Sequence, residues 1–496
     1  MPWLEAAVPV RMERIALVAP DASLRDVLVE VADSGAVEID QAGGEADVPG
    51  LPERLLRAAG REREAPALSA AAPDPAELDR TGRYDLLAGE AQLAAHTDAA
   101  LRRSGAAGLA GWMPASRRPE LAGRIAPLGG ALVPLAHPPG AQAPTLLGGP
   151  PLRRALMPLV RTYGTVPYAD IDPSWLAWFS YVFMFGMMFG DAGQGLLLIG
   201  AAVALRSGWP RWARRYRLAW PFIGGAGVAA TGFGFLYGEF FGPTGVVPTL
   251  WLNPLDEPIQ LLLAALAVGT VLLAGAYALG AINRWREGGW PRALYAPSGA
   301  AGISLFLGIG VAAGGWYFHH DGLIAVGAAI AVAGLGLAFT GFFAEAGGGA
   351  SGLAQALVEL FDLVIRLGSN LFSFARLAAF GLMHAALGLV VWEGTTALWH
   401  QGGAMTAAAV VVFLAGNAVT FALEALVAAI QALRLEYYEL FSRVFQLQGR
   451  EFRPWHVPVS RDPVPASRDL VLASGVPVPA RAAAGPGWAG QQDEQD

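Results

Sequence analysis

Four ionisable side chains interrupt long apolar stretches of this sequence, where a charge is costly. They are Arg376, His384 eight residues later, Glu424, and Arg434 ten residues beyond Glu424. In a lipid-embedded segment a charged side chain costs ~3 kcal/mol or more, so such residues are functional candidates by default. Arginine keeps its proton, whereas histidine gains and loses one near neutral pH. These residue types could therefore place a fixed positive charge near a proton-exchanging group.

The sequence leaves two interpretations of Arg376 open. It could lie about one turn inside a helix and snorkel towards the membrane surface. It also begins a helix face of small residues that would let a second helix approach closely. That face consists of Ala379, Gly381, Ala385 and Gly388. Ser373, almost one helical turn before Arg376, is a supporting polar residue.

Glu424, Gln431 and Arg434 are spaced by seven and three residues, which places them near one stripe of a helix. A carboxylate, an amide and a guanidinium on one stripe indicate a hydrated path. The alternative is an interhelical ion pair that only holds the helices together. For His384 the alternatives are a proton relay and a packing histidine bonded to a backbone carbonyl.

Asp191 lies in a glycine-rich segment and is followed three residues later by Gln194. This composition predicts a turn capped by the aspartate, which is favoured over a direct transport role. Glu239 closes an apolar stretch and is interpreted as interfacial. His319 and His320 are adjacent and cannot easily face one metal ion, so no metal site is assigned.

Composition sets the class of protein. Of 496 residues, 54% are hydrophobic and only 15% are charged, whereas soluble domains carry about 25% charged residues. Cysteine and lysine are both absent, which excludes thiolate chemistry and a lysine-dependent phosphate-binding loop. The net charge of -7 gives no footprint for nucleic acid. No cofactor is expected, and a basic, apolar signal peptide is not recognised at the N-terminus.

The charge is concentrated at the two ends of the chain. Residues 1–150 predict a soluble, cytoplasmic α/β (α+β) domain: a β-α-β pattern over 11–40, a short helical arm over 52–103, and a second α/β unit over 108–136. Residues 151–173 are expected to be a linker. Residues 174–446 predict an all-α polytopic membrane domain, and residues 454–496, rich in Pro, Ala and Gly, a disordered cytoplasmic tail.

The membrane domain is predicted to cross the bilayer about eight times. A span needs about 20 apolar residues, and the Arg-rich segments at 206–217, 284–292 and 434–453 are expected to be cytoplasmic. Both termini are then cytoplasmic only if residues 174–206 cross twice. The predicted spans are 174–190, 192–206, 218–240, 258–283, 298–318, 323–345, 355–399 and 405–445.

Three segments together resemble the membrane subunit of V-type and A-type rotary ATPases, called subunit a or subunit I. The first runs from Phe183 to Leu197, the second from Ser369 to His384, and the third from Glu424 to Phe441. The resemblance extends over nearly the whole chain. The soluble half is short for that family.

The resemblance implies a non-catalytic stator subunit that couples ATP-driven rotation to proton translocation. Arg376 matches the family's essential arginine and Arg434 its second arginine, while Glu424 and His384 match polar half-channel positions; Gln431 stands where eukaryotic members usually carry histidine. The implied partners are a ring of c-type proteolipid subunits, peripheral stalk subunits of the E/G type, central stalk subunits and the lipid bilayer. Composition and family together point to a bacterial plasma membrane. The alternative functions are a secondary ion transporter and a non-transporting membrane scaffold.

Overall fold

The computed structural model describes residues 8–40, 50–61, 63–136, 141–148, 151–445 and 449–460. Contacts between residues divide the chain into two compact units. Among the described residues, one unit lies within 13–136 and 453–460, and the other lies within 8–12 and 141–452.

The first unit is an α/β domain built on a five-stranded sheet of order β2-β5-β1-β6, with β4 pairing with β5. Register is fixed by the antiparallel pairs Ile15 with Pro134 and Glu38 with Trp112. The strands are β1 (Met12–Pro20), β2 (Glu38–Ile39), β3 (Leu68–Ser69), β4 (Leu101–Arg103), β5 (Ala106–Pro114), β6 (Ala131–Pro134) and β7 (Val459–Ser460). The helices are α1 (Leu24–Ser34), α2 (Leu51–Ala58), α3 (Pro75–Thr81), α4 (Tyr84–Asp98) and α5 (Arg118–Ile125).

Two β-α-β units supply the sheet, as the sequence predicted: β1-α1-β2 and β5-α5-β6. This is the β-α-β-β-α-β arrangement of ferredoxin-like domains. The helical arm α2 to α4 is inserted between the two units. Apolar residues of α1 and α5, including Val27, Leu28 and Leu121, are buried under the sheet, because the hydrophobic periodicity of each helix leaves one apolar face to cover.

The start of the C-terminal tail corrects one prediction. Residues 454–460 were expected to be disordered, but β7 pairs in parallel with β3. Trp455 also donates its backbone N–H to Val37, and Val457 is fully buried in the core. Burying apolar surface of Trp455 and Val457 stabilises this segment, although its local composition is rich in proline. The rest of the predicted tail, residues 461–496, lies outside the described residues.

The described residues of the second unit are helices and loops, apart from one isolated β-bridge between Thr145 and Glu451. Its helices are α6 (Pro151–Tyr163), α7 (Ser174–Met188), α8 (Ala192–Ser207), α9 (Trp220–Tyr237), α10 (Pro258–Tyr295), α11 (Ala300–Tyr317), α12 (Asp321–Glu345), α13 (Gly349–Ser373), α14 (Ala375–Trp399) and α15 (Ala404–Leu435). A π-helical segment, Glu436–Phe441, follows α15. A 3-10 helix, Arg211–Ala219, precedes α9.

Helix α6 corrects the expected linker at 151–173. Leu159 and Val160 on this helix are buried against Ala177 of α7 and Phe441. The spacing of Leu156, Leu159 and Val160 gives α6 an apolar face, so the segment packs as a helix even though Pro158 lies inside it.

Six helical segments are long and apolar enough to cross a membrane: 211–237, 258–295, 300–317, 321–345, 349–399 and 404–444. The hairpin predicted at 174–206 forms as two shorter apolar helices, α7 and α8, which are separated by residues 189–191. The chain is therefore a multi-pass membrane protein, and the count of eight spans stays a prediction.

Candidate functional site

The buried centre of the helical unit contains a hydrogen bond between two predicted site residues. His384 on α14 and Glu424 on α15 are each 4% exposed, and His384 Nδ1 is hydrogen-bonded to Glu424 Oε2. The helices bring together residues that lie 40 positions apart in the sequence. The backbone carbonyl expected as the partner of a packing histidine is therefore wrong, because the partner of His384 is a carboxylate.

Two further carboxylates complete this cluster. Glu239, which follows α9, places Oε2 3.8 Å from His384 Nε2. Asp191 is fully buried, and one ligand-capable atom from each of Asp191, Glu239 and His384 lies within 4.8 Å of the others. We call Asp191, Glu239, His384 and Glu424 the carboxylate–histidine cluster. We expected Glu239 to lie at a membrane interface. It is instead buried, with 4% of its surface exposed, and it faces His384.

The backbone holds Asp191 in place at the start of α8. Its Oδ1 accepts a hydrogen bond from Gln194 N at 2.8 Å, and its Oδ2 accepts one from Gly242 N at 2.9 Å. The predicted turn with an aspartate cap is thus confirmed, and the same residue also belongs to the buried cluster. Gly242 has φ +91° and lies against Gly388 of α14, a close approach that a Cβ would prevent.

Polar groups continue from the cluster towards α15. Gln194 Nε2 donates to Asn417 Oδ1 at 3.5 Å. Gln194 Oε1 is buried and has no hydrogen-bond partner among the described residues. A buried carbonyl without a partner carries a desolvation penalty, so this position would accept a hydrogen bond from water.

The cluster consists of groups that can exchange protons. Three carboxylates surround one imidazole, and both ring nitrogens face an oxygen. Asp191, Glu239 and His384 could also hold a metal ion, and His384 would then offer Nε2, because its Nδ1 is bonded to Glu424. Groups that interact this closely bind and release protons as a set rather than singly.

Arg376 lies in a second polar cluster. Its Nε donates to the backbone oxygen of Ser373 at 3.0 Å, and its Nη2 donates to Glu439 Oε1 at 3.4 Å. Nη1 is buried without a partner among the described residues. The Arg376 side chain is 23% exposed and the Glu439 side chain is 9% exposed. The guanidinium of Arg376 therefore lies mostly against other residues of the chain.

His384 lies eight positions after Arg376 on α14, which is about 12 Å along a helix axis. The predicted small-residue face also packs as expected at two points. A Cβ on Gly381 would lie 3.1 Å from the Met187 oxygen of α7, and one on Gly388 would lie 3.1 Å from Gly242. Ala379 is instead exposed.

Of the remaining predicted residues, Gln431 and Arg434 lie near the end of α15, and Ser373 ends α13. Arg434 is exposed and close enough to Arg376 for their charges to repel. Gln431 is partly buried, and its Oε1 has no partner among the described residues. The Ser373 hydroxyl bonds back to Ser369 O at 3.1 Å, so Ser373 contacts Arg376 through its backbone. The single polar stripe predicted on α15 thus changes from buried at Glu424 to exposed at Arg434.

Sequence reasoning missed Glu239 and Glu439 as site residues, as well as the buried Glu436. Glu436 accepts a hydrogen bond from Ser180 Oγ of α7 at 2.6 Å. Glu436 and Glu439 both lie in the π-helical segment, and π-helical turns occur often at functional sites. The available signal was the pair of carboxylates within five residues of Arg434, at the end of a long apolar segment.

The chain is similar to known proteins. Residues 134–218 match the model of the V-type ATPase 116kDa subunit family. The chain is 27% identical over 332 residues to A-type ATP synthase subunit I of Thermococcus kodakarensis, covering 63% of this chain and 48% of that protein. It is 30% identical over 308 residues to the Pyrococcus abyssi subunit I, covering 60% and 45%.

One shorter match has a higher sequence identity. V-type ATP synthase subunit I 2 of Treponema pallidum is 42% identical over 84 residues, covering 17% of this chain and 18% of that protein. The chain spans about half the length of the archaeal relatives it matches. These matches confirm the resemblance to this family, and the family-model match includes the first of the three motifs, Phe183 to Leu197. Over residues 134–218 the chain is similar to the V-type ATPase 116kDa subunit family.

Proposed function

We propose that this chain is the stator membrane subunit of a V/A-type rotary ATPase and that it carries protons past a rotating ring of proteolipid subunits. The observation that carries the proposal is the placement of two polar clusters on α14 and α15. One is the carboxylate–histidine cluster, and the other contains Arg376, Glu439 and Arg434. About 12 Å of helix between Arg376 and His384 separates a fixed charge from the proton-exchanging groups.

The surface of α15 supports a partner of this kind. Almost none of its most apolar window is buried within the chain. Val419, Leu423, Leu426 and Ile430 are all more than half exposed, and their spacing of four, three and four residues forms one ridge. Arg434 is exposed at the end of the same helix. The ridge would lie against the outer helices of the ring.

Electrostatics supply the mechanism. A ring carboxylate must be neutral to face lipid, and it ionises when it meets Arg376. At ~4 Å and an effective dielectric constant of ~20, that attraction is about 4 kcal/mol. The ring carboxylate would compete with Glu439 for the guanidinium. A permanent positive charge between two aqueous half-channels also repels a free proton and so prevents a direct leak.

The carboxylate–histidine cluster would line one half-channel. His384 can accept a proton on one nitrogen while it releases another from the second, and Glu424 and Glu239 lie beside those two nitrogens. The membrane potential contributes ~2.3 kcal/mol per charge per 100 mV. Torque from ATP hydrolysis in other subunits would drive the ring against it. The chain itself performs no hydrolysis in this proposal.

The remaining partners follow from the same proposal. The α/β domain would contact the peripheral stalks of the E/G type and the central stalk. The complex would lie in a bacterial plasma membrane, with both termini of this chain in the cytoplasm.

Isolation of the intact complex tests the proposal. The chain, tagged at its C-terminus, is purified from its native membrane in a mild detergent, and the co-purifying subunits are identified by mass spectrometry. We expect a small hairpin proteolipid with a carboxylate in the middle of a helix, together with ATPase subunits. A folded chain that purifies alone and transports an ion by itself would instead identify a secondary transporter.

A further inference from the structure

An apolar groove on the helical unit, distant in sequence from the site residues of α14 and α15, has one charged side chain in its wall. Its volume is about 650 Å³, and its walls come from α6, α7, α8 and α9. Trp178 and Phe179 of α7, Val203 of α8 and Val228 of α9 line it, and Arg206 is the charged residue among the lining residues. A groove this apolar would be filled by hydrocarbon.

The dimensions of the groove match one leaflet of a bilayer. On α9 the lining extends from Trp220 to Ala229, nine residue steps that correspond to about 14 Å along a helix. Half of a hydrocarbon core of ~30 Å is about 15 Å. The groove therefore has the depth that one acyl chain needs between the surface and the middle of the membrane.

The charged residue lies at the surface end of the groove. Arg206 is in the last turn of α8, and its guanidinium carbon lies 4.8 Å from the ring centroid of Trp220 at the start of α9. Stacking fixes the plane of the guanidinium, while its N–H donors stay available in that plane. Trp178 Nε1 donates to the Pro221 oxygen at 3.1 Å, which holds the adjacent wall.

The positive charge around the surface end of the groove would attract an anion. Arg206 is followed by four exposed arginines, and no carboxylate occurs between Asp191 and Glu239. The four are Arg211, Arg214, Arg215 and Arg217. Trp209 and Trp212 are each at least 70% exposed, and tryptophan is typical of the membrane–water interface. Arginine forms strong, often bidentate bonds to phosphate.

We infer that this groove binds one anionic phospholipid, with an acyl chain between α7, α8 and α9 and its phosphate on Arg206. The site is independent of the proposed proton path. Basic pockets between membrane helices are a general means of binding anionic headgroups.

The test measures lipid binding to the full-length chain, purified in detergent, by native mass spectrometry. Phosphatidylglycerol and phosphatidylcholine with the same acyl chains are added separately, and glycerophosphoglycerol serves as the headgroup without chains. We expect one retained phosphatidylglycerol and much weaker retention of phosphatidylcholine. Strong competition by the chain-free headgroup would identify a simple phosphate site and overturn the proposal.

Two variants and two controls locate the site. Arg206→Gln should weaken phosphatidylglycerol binding by about tenfold or more, since it removes a charge-assisted hydrogen bond. Val203→Trp should also weaken binding by filling the groove from its exposed rim. Arg211→Gln, in the same basic segment but outside the groove lining, should lose far less binding than Arg206→Gln. Val271→Trp, on the exposed face of α10, should bind like the unmodified chain.

The results separate a built site from general attraction. Equal losses in Arg206→Gln and Arg211→Gln would mean that the basic segment attracts lipid without a specific site. Undiminished binding by a folded Arg206→Gln or Val203→Trp protein would also overturn the proposal. The assay uses neither ATP nor other subunits, so its outcome does not depend on the proposed rotary function.

Discussion

His384 Nδ1 and Glu424 Oε2 are hydrogen-bonded across α14 and α15, while His384 Nε2 lies 3.8 Å from Glu239 Oε2. The imidazole thus bridges two carboxylates that come from different parts of the chain. A histidine held in this way can relay a proton without reorienting far. The bond is also a tertiary contact between the two helices that carry the arginines.

Glu424→Gln should slow ATP-driven proton uptake by inverted vesicles by about tenfold or more, because an amide keeps the hydrogen bond but cannot exchange a proton. Assembly of the complex should be unchanged. Glu393→Gln, which alters an exposed glutamate on α14, is the matched control and should pump normally. Normal pumping by assembled Glu424→Gln would assign Glu424 to helix packing.

The Arg376–Glu439 contact predicts a partial defect. Glu439→Gln removes the carboxylate charge 3.4 Å from the Arg376 guanidinium and should loosen its position. We expect fewer protons transported per ATP hydrolysed, with a smaller loss than any change at Arg376 causes. Asp362→Asn is the control, because the Asp362–Arg366 pair on α13 is more than half exposed and such pairs contribute ~1 kcal/mol or less. If Glu439→Gln and Asp362→Asn transported the same number of protons per ATP hydrolysed, a positioning role for Glu439 would be ruled out.

Topology can be tested by labelling single cysteines, because the chain has none of its own. With the α7–α8 hairpin inserted, His319→Cys should react with an impermeant maleimide in intact cells. Arg214→Cys should react only after the membrane is opened. Arg450→Cys, expected on the same side as Arg214, serves as the internal comparison. Labelling of Arg214→Cys from outside would contradict two crossings by residues 174–206.

Because of Asp170, in the loop before α7, we expect the stability of the folded chain to depend on pH. Burial, followed by a hydrogen bond with Glu287, raises the pKa of Asp170 from 3.8 to about 8. Folding therefore takes up a proton, and the stability that this supplies is present at acid pH and is lost as the pH rises towards 8. The unfolding temperature should fall between pH 5.5 and 8.5.

The Asp170→Asn variant should show a smaller fall in unfolding temperature. Each kcal/mol of pH-dependent stability that the variant lacks should change the temperature by at most about 2–4 °C, the value for domains of 150–250 residues. Asp256→Asn, in an exposed loop, should fall as much as the unmodified chain. These temperatures can be measured by the intrinsic fluorescence of the detergent-solubilised protein. The same fall in all three proteins would show that Asp170 does not carry the effect.

Much of the architecture followed from hydrophobic periodicity and length. The two β-α-β units and the long apolar helices formed where the pattern predicted them, because each presents a face or a length that only burial or lipid can satisfy. The helix at Pro151–Tyr163 was missed because its prolines outweighed the spacing of Leu156, Leu159 and Val160. The pairing of β7 with β3 was missed because it joins segments almost 400 residues apart, and no local pattern records such a contact.

The site was predicted in part. His384 and Glu424 could be named because ionisable residues are rare in apolar segments, but their mutual bond could not, since it depends on how α14 packs against α15. Glu239 was missed because it follows the end of a helix and so resembled a surface residue. Glu439 was missed because the charged segment after Arg434 resembled an ordinary cytoplasmic helix end.

Arg376 carries the central claim, because a permanent charge is what would make the ring carboxylate ionise. Arg376→Ala should assemble, since removing a charge does not oppose membrane insertion. Arg376→Lys should fail nearly as badly, because a flexible ammonium replaces a planar guanidinium and can lose its proton when buried.

The decisive measurement is ATP-driven proton uptake into inverted vesicles that contain the Arg376→Ala complex, with assembly checked by co-purification of the proteolipid. The account predicts that ATP hydrolysis no longer acidifies the vesicle interior. Robust acidification by the assembled Arg376→Ala complex would contradict the account and leave Arg376 as a residue that only snorkels to the membrane surface.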